Sequence, residues 1–465
     1  MTRTVQNRVR NPIATQRPRR RPRGGTILIA TIWVLLVLAG LVLVLARTMR
    51  VEALASASRV SAQHAGAVEH AALQYVLAHV DGLSGRMPDA DEMPCEGVQV
   101  GEGAFWILYP AHPDAPKTQR FGLVGESSKI DLNAATKEMI AALPGMEEEL
   151  AAAIVDWRDE DGELTTEGAE SEYYLLGSTP YECKNSRLES LEEILLIKAG
   201  SIEALCGEDA NRNGVLDDNE DDADRREPAD DRDGDLDAGI QHLATVFTAE
   251  RNRSRDGQQR AYVNEPQMQQ LSNLLDEEFG EDRAVEIMTT ARRERPFQNI
   301  LDFRFRSGVS AEEFAQIADR ITTSQSQTLR GLLNVNTASE AALACLPGLE
   351  EADVKALINA RPTDDEGDAA DSIAWVAEAL EQEKAVAIGS HITAVTSQFS
   401  ADIVSVSADG RAFRRCRIVV DARSSPPRII HRRDLTSLGW PLDRQILTQL
   451  RAGTDLEDVL EGRYQ

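Results

Sequence analysis

Hydrophobic positions follow three patterns along the 465 residues. The first is unbroken: no charge occurs from Gly24 to Ala46, and from Ile27 the chain reads ILIATIWVLLVLAGLVLVLA. At about 1.5 Å per residue a helix of that length crosses a hydrocarbon core of roughly 30 Å. The second is helical. From Val51 to Val80 apolar residues recur at spacings of three and four, and Asp81-Gly82 ends the run. Gly66 lies inside it, but one glycine costs a helix only about 1 kcal/mol. The third is alternation. It predicts a hairpin of Phe399–Ser407 and Arg411–Val420 around the turn Asp409-Gly410, while Gly103–Tyr109 and Arg120–Val124 read as strand-like, broken by a loop bearing Pro and Asp. Pro426–His431 adds an edge strand to the hairpin. Short helical runs fill the interval between the two strand regions.

Within that interval the chain repeats itself. Ile130-Asp-Leu-Asn-Ala-Ala-Thr136 matches Leu333-Asn-Val-Asn-Thr-Ala-Ser339. At equal spacings follow Leu143-Pro-Gly-Met146 and Leu346-Pro-Gly-Leu349, then Arg158 and Arg361. Each copy predicts a polar cap (Asn133 or Asn336), a short helix, a Pro-Gly turn and a second helix. Leu188–Lys198 is the expected companion helix of the first copy, with further short helices at Pro296–Phe303 and Ser372–Leu380. The copies resemble helix-hairpin-helix units, which bind DNA through a Gly-x-Gly hairpin that brings backbone N–H groups to a phosphate. Here Glu147 and Glu350 replace the second glycine, and Glu148, Glu149, Glu351 and Asp353 follow. Carboxylates there repel a phosphate. The units therefore read as packing modules with no nucleic-acid partner.

Charge sets the topology. The segment before the apolar run carries eight arginines, five of them within Arg17–Arg23, and no Asp or Glu. That asymmetry holds the N-terminus in the cytoplasm and sends the remainder across the membrane. Net charge is −27 with pI near 4.7, against nucleic acid and anionic membrane surfaces for the soluble part. The five cysteines, Cys95, Cys183, Cys206, Cys345 and Cys416, form no Cys-x-x-Cys pair. An exported domain can oxidise two pairs and leave one thiol. Cys345 sits in an apolar helical context, which predicts a buried free thiol. No catalytic constellation is present in the sequence, and the protein reads as a non-enzyme.

The junction Arg23-Gly24-Gly25-Thr26, placed ahead of an apolar helix rather than behind it, resembles the leader of type IV prepilins and pseudopilins. The resemblance implies cleavage by prepilin peptidase after Gly24 or Gly25, the second favoured, and methylation of the new terminus at Thr26. Most pseudopilins carry a glutamate at the fifth mature position. Here that position is Ala30, or Ile29 for the earlier cut. The missing carboxylate is similar to the K-type minor pseudopilins of type II secretion systems, as are the long helix, the early strands, the helical middle and the late strands. The class implied is α+β: a transmembrane N-terminal helix, a pseudopilin-like antiparallel sheet and a large inserted all-α region with two helix-hairpin-helix-like units. The expected divisions are 1–25 leader, 26–82 helix, 83–128 first β part, 129–395 insertion and 396–465 C-terminal strands and tail.

The sharpest chemical motif lies in the insertion, within an acidic stretch at 208–240. Asp209-Ala-Asn-Arg-Asn-Gly-Val-Leu-Asp-Asp-Asn-Glu220 matches a calcium loop. Asp209, Asn211 and Asn213 supply side-chain oxygens, Val215 its carbonyl, Asp217 a direct or water-mediated ligand, and Glu220 a bidentate carboxylate. Downstream, Asp231, Asp233, Asp235 and Asp237 alternate around Gly234 without completing a second loop. They share the first ion or hold a second one less tightly; the bland alternative is a solvated acidic linker. Calcium, one or two ions, is the expected cofactor. The K-type resemblance also implies calcium in the helical region. It further implies a subunit in the inner membrane with its head in the periplasm. Its expected place is the tip of a pseudopilus whose assembly it initiates or caps, with other minor pseudopilins, the inner-membrane platform, prepilin peptidase and cargo as partners. Two other classes compete: a membrane-tethered DNA receptor and a calcium-dependent envelope scaffold with a permanent anchor.

Overall fold

The computed structural model describes residues 24–112, 115–223, 225, 228, 230, 232–362 and 372–461. These fall in two units that divide after Val60. The arginine arm lies outside the described residues. One helix runs from Gly24 to Val80. In the first unit its side chains from Ile27 to Leu45 are all exposed, with a mean hydropathy of 3.0 over the most apolar 18-residue window. It is long and apolar enough to cross a membrane, which supports a single-pass anchor.

In the second unit the same helix becomes one-sided. Ala65, Val68, Ala72, Val76 and Val80 are buried at three- and four-residue spacing, against Phe105, Ile107, Phe399, Ile403, Ile418 and Val420. Those partners occupy one face of an antiparallel sheet in the order 98–100, 103–109, 398–406, 413–421, 428–434. The short strands Arg120–Phe121 and Val124–Gly125 add to its middle. Alternation sends Trp106, Leu108, Val404 and Val406 to the opposite face. There they meet Ile446, Leu447 and Leu450 of a helix, Arg444–Ala452, that the expected C-terminal strands and tail did not include. Its signals are present in the sequence: Asp443 caps it by accepting from the Gln445 N–H at 2.8 Å, and Gly453 ends it. Fully burying each large apolar side chain of the two faces stabilises the unit by about 1.5–3 kcal/mol.

The sheet is split in sequence by the helical insertion, giving an α+β fold. Both expected hairpins form: Lys137–Ala141 with Glu148–Arg158, and Glu340–Ala344 with Glu351–Asn359. Their caps differ from expectation. Thr136 and Ser339 accept from the N–H groups of Met139 and Ala342, not Asn133 and Asn336. The reason is that the chain first runs as a short strand, Ile130–Asp131 or Leu333–Asn334, paired in parallel with Ala244–Thr245 or Ile392–Thr393. The asparagines thereby tie distant segments. Asn133 donates to Leu188 O at 3.0 Å and accepts from Leu188 N at 2.7 Å. Asn336 accepts from Trp375 Nε1 at 3.1 Å. The repeated arginines have matching work. Arg158 donates to the carbonyls of Leu132 and Ala135, and Arg361 to those of Val335 and Ala338. The expected companion helix at 188–198 is only a 3₁₀ segment, Leu191–Leu196, with a Ser190–Glu193 capping box.

Among the described residues another copy stands between these two, the second of three in chain order. Ala261–Tyr262 pairs in parallel with Ile321–Thr322. Asn264 donates to Phe297 O at 2.9 Å and accepts from Phe297 N at 2.8 Å, as Asn133 does with Leu188. Arg295 donates to the carbonyls of Glu265 and Pro266 at 3.1 and 3.2 Å. This copy escaped notice because its first helix is long, Gln269–Phe279, and its hairpin is a bare Gly280 rather than Leu-Pro-Gly. All three copies feed one hydrophobic core containing Leu132, Val263 and Val335. Replacing Asn264 by alanine is expected to strand the Phe297 N–H and C=O and cost about 1–3 kcal/mol in urea unfolding. Asn133→Ala should cost a comparable amount, since its bonds are the same. A negligible loss in both would deny the asparagine its shared structural role.

Candidate metal-binding site

The acidic stretch starts where helix Ile202–Cys206 ends, and its two ends are pinned together. Glu208 N donates to Asp237 O at 2.8 Å, and Asp237 N to the Glu208 carboxylate at 2.9 Å. Inside this clasp the side chains of loop positions one, three, five, nine and twelve are drawn into one network. Asp209 is fully buried. Its Oδ1 accepts from Asn213 N at 3.0 Å, and its Oδ2 from Gly214 N at 3.0 Å and Gln241 Nε2 at 2.9 Å. Asn211 Oδ1 and Asn213 Oδ1 accept from the N–H two residues on, the Asx turn that these side chains favour. Their amide nitrogens both donate to Asp217 Oδ2, at 2.6 and 3.1 Å. Glu220 accepts from Ala210 N at 3.2 Å and Asp217 N at 3.1 Å. Gly214 turns the chain at φ +71°, a conformation that costs glycine little, and a Cβ there would stand 3.0 Å from Pro110 Cα.

The electrostatics suit a cation. Burial, then the charges of Asp209 and Asp217, push the Glu220 carboxyl up to about 8. Burial likewise raises Asp217. His242, 3.3 Å from Asp209, is lowered by burial and so offers little positive charge. The residue types are oxygen donors of the kind Ca²⁺ takes. As the side chains stand, both asparagine oxygens are held by backbone N–H groups and the amide nitrogens face Asp217, and the oxygens of Asp209, Asp217 and Glu220 do not gather within 4.8 Å of one another. The second stretch is different. Asp231 lies outside the described residues, and Asp233, Asp235 and Asp237 are exposed. Asp233 and Asp237 accept from the N–H groups of Asp235 and Gly239 two residues on.

The loop is held against the sheet by a residue that no motif singled out. Arg415, fully buried in strand 413–421, donates Nε and Nη2 to Asp402 at 2.9 and 2.8 Å. Its Nη1 reaches Asn211 O at 2.5 Å, and Nη2 reaches Arg212 O at 2.7 Å. Burial alone would raise Asp402, but Arg415 and Arg417 hold it below the ordinary carboxylate range. Asn213 also donates to Pro441 O at 3.0 Å, so the segment ahead of helix Arg444–Ala452 holds the loop as well.

A second acidic group was missed altogether. Asp159, Asp161 and Glu170 each bring one carboxylate oxygen within 4.8 Å of the others, just beyond helix Glu148–Arg158, and can hold a divalent ion. Asp159 Oδ1 and Glu170 Oε1 are buried with no hydrogen-bond partner. Burial and the neighbouring carboxylates raise both pKa values. The only sequence signal is Asp156-Trp-Arg-Asp-Glu-Asp161, an ordinary acidic run until the fold returns Glu170 to it. The five cysteines are all buried and unpaired.

Residues 129–205 match the family model described as Type II secretion system (T2SS), protein K. No curated protein matches the chain in sequence. Among solved structures it is similar to a chain in the crystal structure of the GspK-GspI-GspJ complex from the enterotoxigenic Escherichia coli Type 2 Secretion System. That likeness is at 10% identity, covering 83% of this chain and 98% of that one, with a TM-score of 0.39.

Proposed function

We propose that this chain, whose residues 129–205 match the model of type II secretion system protein K, is a minor pseudopilin of that family, at the tip of a periplasmic pseudopilus. Family members are structural and non-catalytic. The observation that carries the finer reading is the start of the anchor. The apolar helix begins at Gly24-Gly25-Thr26, and the fifth residue after the favoured cut is Ala30. A subunit without a carboxylate there cannot neutralise a neighbour's terminal amine, so it has no partner above it and stands first, initiating or capping the filament. In this reading prepilin peptidase removes the leader on the cytoplasmic side, the inner-membrane platform receives the anchored subunit, and the periplasmic head contacts other minor pseudopilins and cargo. Calcium held by Asp209, Asn211, Asn213, Val215, Asp217 and Glu220 braces the insertion, with Asp231, Asp233, Asp235 and Asp237 as a weaker second set.

The decisive measurement is the mature N-terminus from membranes with and without prepilin peptidase. Thr26, or Gly25, is expected in the first case and the intact arm in the second. An uncut chain in cells with active peptidase would leave a permanent anchor instead. Immunogold labelling is expected only at filament ends; even labelling along filaments removes the tip role.

A further inference from the structure

The insertion contains a cavity of about 400 Å³ between its second and third repeat copies. Glu250, 5% exposed, lines it. Its Oε2 accepts from Thr393 Oγ1 at 3.0 Å, while Oε1 is buried without a hydrogen-bond partner. A buried carboxylate left unpaired is costly, and most such groups in native proteins are matched by a donor.

The first repeat copy contains the matched version. There Thr245, the counterpart of Thr393, donates to Glu126 Oε2, and Lys129 Nζ pairs with Glu126 Oε1 at 3.0 Å. Glu126 precedes the strand residue Ile130 by four. Glu250 stands on the neighbouring strand opposite Leu329, four before Leu333, and holds the corresponding threonine. Lys129 stands immediately before Ile130; the residue immediately before Leu333 is Leu332, which lines the cavity and carries no charge. The third copy thus keeps the threonine and the carboxylate but has lost the ammonium, and open space stands beside them. Arg260 and Arg330 also line the cavity; the Arg260 guanidinium is engaged by Asp319, at 2.7 Å to the carboxylate and 2.8 Å to the carbonyl, and Arg330 is exposed. Burial pushes the Glu250 carboxyl up to about 7, against the opposing pull of the Arg260 charge and the Thr393 hydrogen bond.

We propose that this cavity takes a primary ammonium group on an unbranched aliphatic stem, the ammonium pairing with Glu250 as Lys129 pairs with Glu126. Hydroxyl and carbonyl groups of the segment 322–328 are at hand for the remaining N–H donors, and Leu332 for the stem. The site is independent of the calcium loop and of the position in the filament.

The test titrates the full chain in detergent with n-butylammonium, with tetramethylammonium, which has no N–H, as the control, followed by ligand-observed NMR. Saturable binding of the first and none of the second is expected. Glu250→Gln should weaken it by about tenfold or more, the usual scale of one charge-assisted bond. Leu332→Lys, which returns the ammonium to the chain, should abolish binding and melt no lower than the parent. Absence of saturable binding, equal binding by Glu250→Gln, or undiminished binding by Leu332→Lys would each overturn the assignment. The last keeps the test decisive if Glu250→Gln fails to fold. Nα-acetyllysine methylamide binding as well as butylammonium assigns the group to a protein lysine; binding of butylammonium alone assigns it to a small free amine.

Discussion

Arg415→Met is expected to destabilise the second unit by about 3–5 kcal/mol, because it leaves Asp402 buried and ionised beside Arg417 alone. The loss should appear as a lower urea midpoint. It should also reach the acidic loop, since the same guanidinium holds the carbonyls of Asn211 and Arg212. The double variant Arg415→Met with Asp402→Leu separates the two effects. Apolar residues of similar volume often replace a buried pair at little net cost, so global stability should largely return. The loop carbonyls remain without their donor, and cleavage within 208–237 should stay fast. If the double variant protects the loop as well as the parent does, Arg415 is merely a sheet residue.

Calcium is expected to raise the melting temperature and to protect the same segment from proteolysis. Loops of this kind in extracellular modules bind at about 10⁻⁴–10⁻³ M, and neutral asparagines at positions three and five favour the weak end. At a hundredfold excess over Kd the linkage is worth about 2.7 kcal/mol. Glu220→Ala should reduce affinity most, as it removes the residue placed to close the shell. The group of Asp159, Asp161 and Glu170 gives the comparison its edge. Calcium stabilisation that survives Glu220→Ala but disappears with Glu170→Gln assigns the ion there instead. Equal melting in calcium and in chelator denies both.

The parts of the molecule legible in the amino-acid order are those whose physics is local. A run without charge, a helix with one apolar stripe, apolar strand segments and an Asp-Gly turn each depend on neighbours within a few residues. So do the paired Leu-Pro-Gly hairpins and the spacing of donors from Asp209 to Glu220. The parts decided only by tertiary structure join residues far apart. Asn133 is an ordinary cap candidate until Leu188 is beside it, and the Asn264 copy is invisible until Phe297 returns to show the same two bonds. Glu170 joins Asp159 only after the chain has looped back. Arg415 in sequence is one more arginine on a strand; burial against Asp402 and the loop carbonyls makes it a clamp. Glu250 is a common acidic residue until folding takes it out of water and places Leu332 where Lys129 stands in the first copy. Desolvation and long-range pairing are properties of the packed chain, and no window of sequence contains them.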